Sequence, residues 1–409
     1  MSKIKQQIQS ELSRQNGILR LFPNFVFRSN RPPGRRMKIH PKDLYCMGLE
    51  RGGICERWFS STGKANNGAL TVPDEGVSFV AIQDGAEKIP LADAVQSEGE
   101  RLIGSHLMNK YGGLTSYAKF FDFCTPISQH VHLRQQDAVK VGSSGKSEGY
   151  YFPPQLNAIT YGFQYSYYGF LQGTTRADFI QALENWGKGD FGDNHILELS
   201  PAYRIKIGTG WNIPAGIIHA PGAVVTYEVQ TCSDASIFMQ SILETKTHDR
   251  SVLTRFIPAD KHYDFEYLAD VLDWDANLNT NFKQDHYLEP LPVKPEEEMN
   301  AEGYNEKWVV YRNDQFSAKE LTVFPGKEVV IRDGGSYGLI MMDGTGTVNG
   351  VAVDTPSIIR YGALTSDELF VSFEAAQAGV RIRNHSLTTS MVMLKNFGPE
   401  NPDSADLGR

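Results

Sequence analysis

No stretch of this 409-residue chain approaches the roughly 18 uninterrupted apolar residues that a membrane-crossing helix needs, so no transmembrane helix is expected. Basic runs are missing as well. The 40 Lys and Arg are outnumbered by 48 Asp and Glu, and a net charge of -8 argues against nucleic acid and anionic membrane surfaces as partners. Cysteine is scarce: Cys46, Cys55, Cys124 and Cys232 are scattered without CxxC spacing. The polar opening MSKIKQQIQSELSRQ does not read as a secretory leader, so reduced thiols and a cytoplasmic location are expected.

What the chain does have is apolar material arranged for strands. A hydrophobic fraction of 41% over this length can fill the cores of two or three domains. From about residue 77 to 227 short strand-like runs such as GVSFVAI, AKFFDFC and AVVTYEV are punctuated by glycine and proline, the pattern of a β-sandwich or barrel. Helices are expected in three places. Ile4, Ile8 and Leu12 share one face near the start; TTRADFIQALENW has a threonine cap and a stripe of Phe179, Ile180, Leu183 and Trp186; YDFEYLADVLDWD has a similar period. Residues 277–305 turn polar and proline-bearing and read as a linker. A second β-rich unit follows from 306 to about 397, including the hairpin-like GTGTVNG, and the tail 398–409 is expected to fray.

Four polar side chains interrupt the first β-rich region. On a strand, residues two apart point to the same side, so His130 and His132 in ISQHVHL can both aim inward, and Lys146 and Glu148 in GKSEGYYF share that spacing. In GTGWNIPAGIIHA, glycine and proline build a tight turn that delivers His219 to the next strand. Three imidazoles and one carboxylate suit a single divalent transition metal with positions left open for water or substrate. His130, His132, Glu148 and His219 are therefore the candidate ligands. The second β-rich unit has no comparable cluster, since His385 stands alone there.

These segments, in this order, resemble the cupin superfamily and, within it, the class I (type I) mannose-6-phosphate isomerases. The matching pieces are Ser128-Gln129-His130-Val131-His132, Gly145-Lys146-Ser147-Glu148, Ile213 to Ala220 (IPAGIIHA) and Glu228 to Asp234 (EVQTCSD), with Glu56 in the upstream ICERWFSST. The resemblance implies a mainly β fold of two cupin (double-stranded β-helix, jelly-roll) barrels with a few added helices. An N-terminal extension, 1–53, would pack on a metal-binding barrel, 54–276, and a degenerate barrel, 306–397, would act structurally and hold no metal. It also implies a metal-dependent aldose-ketose isomerase acting on a small carbohydrate, with Lys146 beside the developing negative charge and Glu228, Asp234 or Glu56 as the base. Ser128, Arg134 and Lys140 would contact substrate. Zinc is the first choice of ion, with Mn, Fe or Ni as alternatives, and a homodimer is compatible with this reading.

Two departures bear on function. The first ligand position, a glutamine in that family, is His130 here, which moves the set toward the general cupin pattern. It also keeps open a cupin dioxygenase, or a sugar-binding protein that retains the metal without turnover. The second departure is Phe238, which stands where the family has a phosphate-assisting arginine. A phenyl ring cannot replace a bidentate guanidinium. Either Arg134, Lys140, Arg250 or Arg255 takes the phosphate, or the substrate is not phosphorylated, and weak activity on mannose 6-phosphate is the expectation.

Overall fold

A computed structural model describes residues 3–158, 163–188, 190–243, 246–405 and 407. The architecture is mainly β and cupin-like. One half of the molecule pairs a seven-stranded sheet with a five-stranded one, and the other half pairs a nine-stranded sheet with a four-stranded one. Each pair of sheets encloses its own core. In the C-terminal half, Leu321, Leu339 and Met393 of the large sheet meet Val329, Val348 and Ile382 of the small one.

Local chemistry accounts for the added elements. Thr175 caps the helix Arg176–Glu184 in a capping box with Asp178, and Phe179 and Leu183 are buried from its inner face. The helix Lys3–Arg14 buries Ile8 and Leu12. The stretch YDFEYLADVLDWD forms two short helices, Phe265–Asp270 and Trp274–Asn277, each opened by an aspartate cap, because Asp264 and Asp273 both accept from backbone N–H groups. GTGTVNG supplies the first strand and the turn of a hairpin that pairs Thr345–Val348 with Val351–Asp354.

Strand pairing carries the N-terminal extension further than the first barrel. Ile18–Phe22 pairs with Leu369 to Val371 on one side and with Phe79 and Val80 on the other, so both it and GVSFVAI join the large C-terminal sheet. Asn24–Arg28 then pairs with Gly53–Phe59 in the first barrel. Residues 277–305 are more than a surface strap. Tyr287–Leu288 pairs with Gly210 and Trp211, Leu291–Pro292 pairs with Lys307 and Trp308, and the helix Glu296–Glu302 buries Met299. The tail is held rather than frayed as far as residue 405. Asn401 is buried and donates to Ser317 Oγ at 3.4 Å, and Glu400 is gripped by His106, Lys110 and Tyr111.

The two barrels meet back to back, and this contact aims the site residues. In Glu148–Tyr151, side chains alternate: Glu148 and Tyr150 face into the first barrel, while Gly149 and Tyr151 face the second. A Cβ on Gly149 would lie 2.3 Å from Val310 Cγ1, so only glycine permits the close approach. Across the same contact, buried Arg57 binds Asp367 at 2.7 and 2.9 Å and Glu368 at 3.0 Å. Arg57→Met should therefore destabilise the protein by about 3–5 kcal/mol, since it strands two buried carboxyls. Urea unfolding checks this, and an unchanged midpoint would show that the carboxyls find other partners.

Candidate metal centre

Two cross-strand rows build the site from opposite sheets. In the five-stranded sheet, Phe238 lies opposite His130, His130 opposite His219, and His219 opposite Tyr168. His132 follows on the face of His130. In the seven-stranded sheet, Trp58, Lys119, Glu228 and Tyr150 are successive partners, with Glu56 and Glu148 two residues along on the same face. Directly opposed residues share a face, so the imidazoles of one sheet look across at the carboxylates and ammonium groups of the other.

The three imidazoles have their ligand atoms within 4.8 Å of one another. Each Nδ1 faces a backbone carbonyl: Ser128 at 2.8 Å from His130, Ala235 at 2.7 Å from His132 and Ile217 at 2.9 Å from His219. A carbonyl only accepts, so each Nδ1 carries the proton and each Nε2 presents a lone pair. Burial, reinforced by the neighbouring imidazoles, holds His130 well below its ordinary range; burial also lowers His132, to about 4, although Glu148 opposes it. Both are thus neutral near pH 7. Glu148 Oε1 lies 2.8 Å from His132 Nε2, and Oε2 lies 3.3 Å from His219 Nε2, an atom that is buried without a hydrogen-bond partner. A carboxylate facing unprotonated nitrogens is repulsive unless a cation lies among them. The donor set therefore fits a divalent metal, held by three neutral nitrogens and one oxygen.

Charged neighbours sort themselves by what they touch. The Lys146 ammonium contacts Glu148, lies 3.3 Å from His132 Nε2 and is 3.3 Å from Glu228 Oε1. The Tyr150 hydroxyl donates to Glu148 Oε2 at 2.5 Å. Burial would raise the Glu148 carboxyl, but His132 and Lys146 hold it well below the usual range. Glu228 goes the other way. Burial, followed by repulsion from Glu148, pushes it up to about 8, even with Lys119 and Lys146 nearby at 3.4 and 3.3 Å. Glu56 and Asp234 are both bound by Arg28, at 2.7 and 3.1 Å. Burial works against the Glu56 charge, yet Arg28 and Lys119 keep that carboxyl well below its ordinary value.

A cavity of about 260 Å³ opens over these groups, lined by His130, His132, Lys146, Glu148, Glu228 and Asp234 together with Glu56. Of the remaining sequence candidates, Arg255 lines the cavity and Ser128, Arg134 and Lys140 do not. Ser128 is buried behind His130, bonded to His248 Nε2 at 2.8 Å. Arg134 donates to the Asp270 carbonyl at 2.6 Å, and Lys140 pairs with Asp137 at 2.9 Å; neither lines the cavity. Sequence reasoning passed over Arg28, Arg31, Lys119 and Tyr150, which do line it. Lys119 had a readable signal, a charge in the middle of the apolar strand SYAKFF.

The sequence matches no protein-family model and no curated protein. Solved structures do match in fold. A putative mannosephosphate isomerase from Archaeoglobus fulgidus aligns with a TM-score of 0.59 at 14% identity, over 93% of this chain and 97% of that one. The mannose 6-phosphate isomerase from Bacillus subtilis gives 0.59 at 14% identity over 93% and 99%. A variant of the phosphomannose isomerase from Salmonella typhimurium gives 0.60 at 12% identity over 94% and 100%. A further similar structure is a mannose 6-phosphate isomerase bound with zinc and yttrium. The chain thus shares their fold along nearly its whole length.

Proposed function

We propose that this chain is a metal-dependent aldose-ketose isomerase acting on a sugar or sugar phosphate, with zinc as its ion and His130, His132, Glu148 and His219 as ligands. The observation that carries the reading is a cluster of three buried imidazoles, two of them lining a cavity that also holds a buried ammonium and a carboxyl pushed up to about 8. When bound, the ion would supply Lewis-acid stabilisation of negative charge on sugar oxygens.

The chain's own groups would do the rest. Glu228 is the best base of the three candidates, because Glu56 and Asp234 are occupied by Arg28. It would take a proton from the carbon next to the carbonyl, exchange it with water and deliver one to the former carbonyl carbon, while the hydroxyl proton passes to the former carbonyl oxygen, so the proton count is unchanged over the cycle. Lys146 would face the oxygen that becomes negative in the enediol, and Tyr150 fixes Glu148 through its hydroxyl. Arg28 ties Glu56 and Asp234 together where both line the cavity.

The deciding experiment incubates the zinc-loaded protein with aldoses, ketoses and their phosphates in deuterated water. Conversion with deuterium appearing at the carbon beside the carbonyl is the expected result. His130 completes a three-imidazole set that a redox metal would also accept, so oxygen uptake is followed in the same samples. Uptake without isomerisation would identify a dioxygenase, and metal with sugar binding but no turnover a binding protein.

A further inference from the structure

Arg31 is a buried guanidinium with no ion pair to a carboxylate; Glu56 acts on its charge only from beyond contact distance. Among the described residues, three arginines are buried to nine-tenths or more, and the other two are paired: Arg51 with Glu75 at 2.7 Å and Arg57 with Asp367 at 2.7 Å. Arg31 is 6% exposed and makes no ion pair; its Nη2 donates to Ser128 Oγ at 3.3 Å, and its Nε is buried without any partner. Two phenyl rings hold it instead. Its Cζ lies 5.4 Å from the centre of the Phe123 ring and 5.4 Å from that of Phe238.

Its position makes the missing partner informative. Arg31 lines the metal cavity, and the Phe238 ring that supports it is itself 5.4 Å from the His130 ring. The guanidinium therefore stands one aromatic ring away from a metal ligand, a distance that a short carbon chain spans. Burial, together with nearby Arg28, lowers its value to about 10, which still leaves it charged near pH 7. An uncompensated buried charge is costly, so a site that keeps one has a use for it. The other basic candidates are engaged elsewhere: Arg28 on Glu56 and Asp234, Arg134 on Asp270, and Lys140 on Asp137. Arg250 stacks on Tyr263 and Phe265 and does not line the cavity. Arg255 does line it, but is bonded to Asn66.

We propose that Arg31 is the specificity-determining residue of the site, binding an oxyanion group at the end of the substrate away from the metal, and that Phe238 is the ring that orients its planar fork. The phenylalanine at 238 then marks a relocated cation rather than a lost one. A guanidinium presents parallel N–H donors to a phosphate or carboxylate, and with its face against two rings and Nη2 on Ser128, the Nε donor is left without a protein partner. The assignment rests on the isomerase reading only for the identity of the rest of the ligand.

The test is calorimetric binding of inorganic phosphate, mannose 6-phosphate and mannose to the metal-loaded full-length protein. Arg31→Gln and Arg31→Met are compared with wild type and with Arg383→Gln, a substitution at an exposed arginine of the other barrel. Both Arg31 variants are expected to bind phosphate and mannose 6-phosphate at least tenfold more weakly, with mannose affinity kept within twofold and the Arg383 variant unchanged. The Arg31→Met protein should melt no lower than wild type, because it removes an unpaired buried charge, so weakened binding is not a folding defect. Phosphate affinity unchanged in either variant, or no phosphate binding by wild type at millimolar concentration, would overturn the proposal. Binding is read without turnover. A protein that isomerises neutral sugars and ignores phosphate defeats this assignment alone, and one that binds phosphate through Arg31 but isomerises nothing defeats the isomerase reading alone.

Discussion

Changing His132 and His219 together to alanine should leave the purified protein with almost no bound divalent metal, against one ion per chain in the wild type. Two of three nitrogens are lost from a cluster in which each Nδ1 is tied to a backbone carbonyl, so no other ring can swing in to replace them. Glu148 and His130 alone make too small a donor set to retain an ion through purification. Stability should follow the metal. A ligand that binds only the folded state stabilises it by mass action, so chelator should lower the melting temperature of the wild type and leave that of the double variant nearly unmoved. Elemental analysis and thermal melts with and without EDTA give both readouts without an activity assay. Stoichiometric metal in a folded double variant would reject these ligands outright.

Glu228→Gln should lower kcat by about 10²–10⁴-fold, the range that a positioned general base typically contributes. Metal content should be unchanged, because Glu228 faces Lys119 and Lys146 rather than the imidazole nitrogens. The amide keeps the shape and loses only the capacity to accept the proton, so KM should shift by no more than a few fold. The pH profile separates this role from a structural one. A base works deprotonated, and burial pushes this carboxyl up to about 8, so the wild-type rate should rise with pH through its ionisation. A bound cation favours the carboxylate and moves that limb to lower pH. The glutamine variant should lose the limb altogether. If it keeps the limb and most of its rate, the base is Asp234 or Glu56, freed from Arg28 when substrate binds.

Several features of the site were legible in the linear chain because they depend on local periodicity. The two-residue spacing of His130 and His132, and of Lys146 and Glu148, aims each pair into the same cavity, although the strands cover only His130–Val131 and Glu148–Tyr151. The turn before His219, the Thr175 cap and the GTGTVNG hairpin likewise need only their own few residues. Glu56, Glu228 and Asp234 were named from the family resemblance of their segments, and all three line the cavity.

Cross-strand register and packing decided the rest, since neither is written in any short window of sequence. Which carboxyl stays free became visible only when Arg28, more than two hundred residues from Asp234, was seen to bind it together with Glu56. Arg134 and Lys140 were named as substrate contacts from the resemblance, but the fold turns them toward Asp270 and Asp137. Ile18–Phe22 joined the far barrel because two strands on that side, at Phe79 and Leu369, offered their hydrogen-bonding edges. The sequence by itself determined the strand-rich character, the spacing of the candidate ligands and the helix caps, all set by neighbouring residues. Only the tertiary structure decided that a cation lies against Phe238, because that depends on Arg31 arriving from a distant segment to meet its ring.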